Sequence, residues 1–122
     1  MSVNYAVLLV EPDHSLRFGL AQRLERRGYH VTAVEHPRKA LAAATFHDYR
    51  VVLAGEQLPD IDAPELFERL RRLMGSVASI AVTDAAHRPQ LPHVDWVERS
   101  RALEEVEQAV TRAMDSHPAG SE

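Results

Sequence analysis

The feature that most constrains this chain is the alternation of short apolar runs with amphipathic segments of helical period. Tyr5 to Val10 is continuously apolar, as suits a strand buried on both faces. Asp13 then caps a helix in which Leu16, Leu20 and Leu24 recur every fourth residue, with Arg23, Arg26 and Arg27 in its last turns and Gly28 as the stop. Tyr29 to Val34 returns as a strand rich in β-branched residues. Pro37 fits a first helical position, followed by the light apolar face of Ala40, Leu41 and Ala44. Val51 to Ala54 is a third strand. Pro64 opens a helix with Leu66, Phe67, Leu70 and Leu73 on one side, closed by Gly75. Val77 to Thr83 and a short run at Trp96 and Val97 supply two more strands. From Ser100 a last helix carries Leu103, Val106, Val110 and Met114 inward, with Glu104 and Glu105 favourable in its first turn.

Strands that alternate with helices imply an α/β fold: a doubly wound, five-stranded parallel sheet with right-handed crossovers and helices on both faces. Such a sheet binds ligands beyond the carboxyl ends of its strands, where strand order reverses. That edge collects Glu11, Pro12, Asp13, Gly55, Glu56, Thr83 and Arg99. The expected organisation is one domain over residues 1–116 and a disordered tail over 117–122. Residues 84–94 contain two prolines and leave too little chain for an ordinary helix plus its connections, so a fourth helix there is expected to be short or missing.

Composition narrows the function. With 45% hydrophobic and 26% charged residues the chain reads as an ordinary globular domain, and its 122 residues suffice for one core. Its net charge of −4 does not favour nucleic acid or an anionic membrane as partner. No cysteine is present, which excludes disulfides, iron–sulfur clusters and thiol chemistry and suits a reducing cytoplasm. No apolar run approaches the ~18–20 residues that cross a bilayer. The histidines (14, 30, 36, 47, 87, 93 and 117) show no metal-binding spacing, and no GxSxG, P-loop or GxGxxG pattern occurs. Neither an enzyme nor a cofactor or metal site is expected.

Two segments carry a family resemblance: Ala6 to Asp13, AVLLVEPD, and Val51 to Asp60, VVLAGEQLPD, an apolar run breaking into a Leu-Pro-Asp loop. Together they resemble the receiver domain of two-component response regulators, and ordered landmarks extend the resemblance from Tyr5 to about Met114. It implies a flavodoxin-like, CheY-like architecture. It also implies a site of four parts: an acidic pair after the first strand, a phosphoacceptor aspartate four residues before the loop proline, a hydroxyl ending the fourth strand and a lysine after the fifth. At those positions this chain has Glu11 and Pro12, Gly55, Thr83, and Arg99, which is followed by Ser100 instead of the usual proline. The family's magnesium draws on an acidic-pair carboxylate and the acceptor carboxylate; Pro12 and Gly55 offer neither. The resemblance therefore implies a degenerate receiver that is not phosphorylated on an aspartate, even after Gly55→Asp alone.

The remaining candidates follow from this reading. Glu56, beside the acceptor position, is expected to face solvent or a helix. Asp13 is a helix cap in preference to a metal ligand. Arg99 is expected to pair with Glu11 along the shared edge, or else to point into solvent. Trp96, three residues before Arg99, occupies the position of the family's mobile aromatic and, with Arg101 and Glu105, forms a candidate interaction surface. The leading functional expectation is a phosphorylation-independent, cytoplasmic signalling module that contacts another protein: a kinase, a regulator or a second copy of itself. The alternatives are a regulatory domain acting in trans on a kinase or transcription complex, with no DNA-binding helix pair after Met114, and a sensor that holds a small ligand or anion at the vacated edge.

Overall fold

The structure, a computed structural model, describes residues 5–55, 58–84 and 94–116. Its elements run β1 (Ala6–Val10), α1 (His14–Arg26), β2 (His30–Val34), α2 (Pro37–Phe46), β3 (Val51–Gly55), α3 (Ala63–Met74), β4 (Ala78–Thr83) and β5 (Val94–Glu98). A 3-10 turn at Arg99–Arg101 then leads into α4 (Ala102–Ser116). All strand pairs are parallel, in the order β2-β1-β3-β4-β5. This is the five-stranded parallel sheet with flanking helices that the alternation implied. The expected gap in helix between β4 and β5, the tail after Ser116, and Glu56 lie outside the described residues.

The burial pattern explains why the apolar runs look as they do. Strands β3 and β4 are buried along their whole length and β1 from Val7 onward, whereas the edge strands β2 and β5 are mixed. Central strands covered on both faces need apolar residues at every position, and edge strands do not. Successive side chains alternate between two cores. Val7, Leu9, Leu53, Ile80 and Val97 pack with Leu20 and Leu24 of α1 and Val106 and Val110 of α4. Leu8, Val10, Val52, Ala54 and Ala81 pack with Ala40 of α2 and Leu66 and Leu70 of α3. Each fully buried leucine contributes about 2 kcal/mol, so truncating Leu53 to alanine would cost about 2–5 kcal/mol, depending on how far the cavity collapses.

Local signals set the helix ends. Asp13 Oδ2 accepts from the Leu16 amide at 2.8 Å and Asp62 Oδ1 from the Glu65 amide at 3.0 Å, capping α1 and α3. Pro37 lies in the first turn of α2, as its ring requires, and Gly28 adopts φ 94°, the left-handed conformation that ends α1 without strain. The α4 helix is held by more than its apolar face: Arg50 Nη2 donates to the Met114 carbonyl at 2.6 Å, and the Tyr29 and Thr111 hydroxyls meet at 2.9 Å.

Two assignments require correction. The spacing puts Leu73 on one side of α3 with Leu66, Phe67 and Leu70, yet it is 51% exposed; the buried row runs Leu66, Leu70 and then Met74, which packs partly against the core. Leu103, expected inward on α4, is 37% exposed, because the helix turns Ala102, Val106 and Ala109 to the sheet. Leu103 lies instead over α1, where a Cβ on Gly19 would come within 2.7 Å of its Cδ2. The absence of a side chain at Gly19 is what gives Leu103 that resting place.

Candidate functional site

The order of the sheet reverses between β1 and β3, and the carboxyl ends of these strands, with those of β4 and β5, form one edge of the molecule. The register Val10 against Ala54, Gly55 against Val82, and Thr83 against Glu98 brings the strand-end residues level. A cleft of about 320 Å³ opens there, lined by Glu11, Pro12, Asp13, Thr83, Asp84 and Arg99. A larger hollow of about 680 Å³ lies at the opposite end of the sheet, near Ala6, His30 and Tyr49. There the Tyr49 hydroxyl already donates to the Thr32 hydroxyl at 3.0 Å, and Glu25 and Asp48 line the hollow without a basic Arg or Lys among its lining residues; the strand-end charges of Glu11, Asp13, Asp84 and Arg99 meet at the carboxyl edge, where we place the site.

Glu11 is its centre. The residue is 1% exposed, and its carboxylate is held on three sides. Arg99 donates from Nη1 to Oε1 at 2.9 Å and from Nη2 to Oε2 at 3.0 Å, the two-pronged geometry that a planar guanidinium allows. The Asp13 amide donates to Oε2 at 2.8 Å. Of the two expectations for Arg99, pairing with Glu11 or pointing into solvent, the structure shows the pair, with its carboxylate half buried. The hydrogen bonds it donates to Glu11 hold the Arg99 guanidinium above its ordinary pKa, assisted by the charges of Glu11, Asp13 and Asp84 and opposed by its partial burial.

The turn that carries Glu11 is braced from behind. Arg17, one turn into α1, donates from Nη1 to the carbonyls of Glu11 at 2.9 Å and Pro12 at 3.2 Å, and its Nη2 meets His14 Nδ1 at 3.1 Å. Sequence reasoning passed over Arg17, though its position four residues after the capping Asp13 places it over that turn. It also passed over Asp84, which follows Thr83 directly and adds a third carboxylate to the cleft.

Gly55 ends β3 directly beneath the Glu11 side chain. A Cβ at this position would lie 2.7 Å from Glu11 Oε1 and 3.8 Å from Pro12 Cδ. Thr83 is buried at the end of β4, and its hydroxyl donates to the Asp84 carbonyl at 3.3 Å. Glu11, Pro12, Thr83 and Arg99 thus share one cleft, and Gly55 touches it through Glu11. The candidate interaction residues are not brought together in the same way. Trp96 packs partly against the core on the α2/α3 face, whereas Arg101 of the 3-10 turn and Glu105 of α4 pair with each other at 3.2 Å, and α4 covers the other face.

The receiver resemblance implies a magnesium ion at this edge, and the residues present do not fit one. Pro12 and Gly55 bring no oxygen-bearing side chain, both oxygens of Glu11 are engaged by Arg99, and Asp13 caps α1. Among the described residues no group of three or more His, Cys, Asp or Glu side chains is placed to hold a metal.

Comparison with known proteins agrees on the architecture. Three solved structures superpose closely. The response regulator receiver protein from Sinorhizobium medicae WSM419 is 16% identical, with 92% of this chain and 95% of that one covered and a TM-score of 0.81. The chemotaxis response regulator CheY4 of Vibrio cholerae is 19% identical, with coverage of 88% and 97% and a TM-score of 0.80. The receiver domain of sensor histidine kinase PA1611 from Pseudomonas aeruginosa PAO1, which holds a magnesium ion in its active-site cleft, is 23% identical, with coverage of 90% and 97% and a TM-score of 0.79. No curated relative matches. At these identities the structures establish the fold, and the family rests on the sequence profile of the response regulator receiver domain, which matches residues 7–94. With most of the chain matched and the sheet, the crossovers and the edge in place, this protein belongs to the response regulator receiver domain family.

Proposed function

We propose that this receiver domain works in two-component signalling without being phosphorylated, as a non-enzymatic module that contacts another protein in the cytoplasm. The observation that carries this reading is the Glu11 carboxylate, buried and clamped by Arg99 above a glycine. Phosphoryl transfer to a carboxylate needs an acceptor and positive charge to neutralise the moving group. Here position 55 has no carboxylate, the described residues of the cleft form no donor set for magnesium, and Arg99 is already paired with Glu11. The domain then has one ground state at this edge, and a partner reads its shape directly.

The partner is a kinase, a regulator or a second copy of the domain. An anion-sensing role has weaker support, since Arg99 is engaged and Glu11, Asp13 and Asp84 surround it with negative charge. The test is to incubate the protein with acetyl phosphate and magnesium, and separately with a phosphorylated histidine kinase, and measure intact mass. No added phosphoryl group is expected, and partner capture should be equal with and without phosphodonor. A stoichiometric mass increase would overturn the reading.

A further inference from the structure

Glu11 and Gly55 form a steric complement that no local rule requires. The backbone at Gly55 is not in the left-handed region; among the described glycines only Gly28 and Gly75 are. Any residue could adopt its conformation, and a β-branched or alanine residue would ordinarily suit the end of a buried strand better than glycine. What forbids a side chain is the Glu11 carboxylate oxygen, 2.7 Å from where the Cβ would be. The tip of a glutamate normally moves aside at little cost. This one is buried and fixed by two bonds from Arg99 and one from the Asp13 amide, so moving it means opening the clasp.

We infer that Glu11 supplies from β1 the carboxylate that β3 lacks, and that Gly55 is the space kept for it, so that Arg99 is held by a built-in anion. This rests on the reading of the domain as phosphate-independent and adds what fills the edge in place of a transferred group. The clasp joins the β1–α1 turn to the start of the 3-10 turn that leads into α4, passing over the end of β3. Positions 11, 55 and 99 are therefore one unit, and substitution of any one should change the effect of substituting another.

A double-mutant cycle on the full chain tests this. In the parent, Gly55→Ala is expected to lower the melting temperature by several degrees, because the new methyl pushes on the pinned carboxylate. In a Glu11→Ala background the same change should leave it unaltered or raise it, since alanine restricts the unfolded chain more than glycine does. Gly55→Asp is expected to be severely destabilising in the parent, where two carboxylates would crowd, and to restore stability to Glu11→Ala by giving Arg99 a new partner. If Glu11→Ala does not fold, Glu11→Asp, shorter by one methylene, serves as the background. Side-chain NMR adds a readout that general loosening would not reproduce: the Arg99 Nη protons should be slowed in the parent and lose that protection in both Gly55→Ala and Glu11→Ala. Equal effects of Gly55→Ala in the two backgrounds, or Arg99 signals unchanged by Gly55→Ala, would overturn the inference. The phosphodonor experiment fails or succeeds independently, because it reads the mass of the parent alone.

Discussion

The same two residue types, glutamate and arginine, are used in opposite ways at the carboxyl edge and along α3. On α3, Glu65 pairs with Arg69 and Glu68 with Arg71 and Arg72, one helical turn apart and with every side chain 44–76% exposed. At the edge, Glu11 is 1% exposed and pairs with Arg99, which is 88 positions away in the chain and whose side chain is 37% exposed. Water screens the α3 pairs, and each gives up side-chain freedom to form, so they contribute little beyond solubility. Glu11 has no water to return to. Its charge is tolerable only while Arg99 and the Asp13 amide remain in place. The difference lies in what is left behind when a partner is removed.

The sharpest way to break this comparison is to delete Arg99. Arg99→Ala leaves a carboxylate buried and unpaired, for which losses of about 3–5 kcal/mol are typical. Because the guanidinium side is partly open to water, we expect about 2 kcal/mol, measured by denaturant unfolding. A change too small to resolve would place the edge pair in the same class as those on α3. Arg99→Lys should fall between the two, since an ammonium cannot supply the two-pronged contact. Next in size is Asp13→Ala. It removes the cap on α1 and should cost about 1 kcal/mol, with the Glu11 contact from the residue 13 amide retained. A loss as large as that of Arg99→Ala would show the turn, and not the ion pair, to be the stabilising element.

Smaller still is Arg69→Ala on α3, expected to leave the unfolding midpoint unchanged within error. The smallest effect is the response to acid of the exposed carboxylates. Lys39 lowers the pKa of Glu35, and Arg71 lowers that of Glu68, in each case chiefly through a hydrogen bond. A carboxylate whose folded pKa is depressed stabilises the fold above its unfolded value and loses that contribution as pH falls through the folded one. The melting temperature should thus be flat from neutrality down to the ordinary carboxylate range and decline slightly below it, and Glu68→Gln should remove part of that decline. A marked fall between pH 7 and 6 would contradict this.

Much of this molecule is legible in the sequence because its rules are local or periodic. The buried strands are continuous apolar runs, Asp13 and Gly28 bracket α1, and the topology together with the receiver resemblance puts Glu11 and Arg99 on one edge, which is why a pair between them can be named as one of two expectations before any coordinates exist. Leu73 and Leu103 mislead because an apolar residue at roughly the right spacing looks inward whether or not the helix turns it there. Trp96 alternates with Val97 on the edge strand and so packs on the α2/α3 side, while Arg101 and Glu105 lie at the start of α4. The dependence of Gly55 on Glu11 is not legible at all. It depends on the few ångströms between the Gly55 backbone and the Glu11 carboxylate, which lie far apart in the chain, and a glycine in a sequence does not reveal whether it is there for its backbone or for its emptiness.

The separation of Glu11 from Arg99 also has a kinetic meaning. A contact between residues 88 apart carries a large loop-closure cost and rests on four strands already paired, so we expect it to form late in assembly. Interactions absent from the transition state govern how long the native form survives, with little influence on how fast it is reached. Loss of the clasp should then appear in refolding experiments as a steeper escape from the folded state, with the folding limb almost unmoved: the edge of the sheet works as a catch that sets the lifetime of the domain.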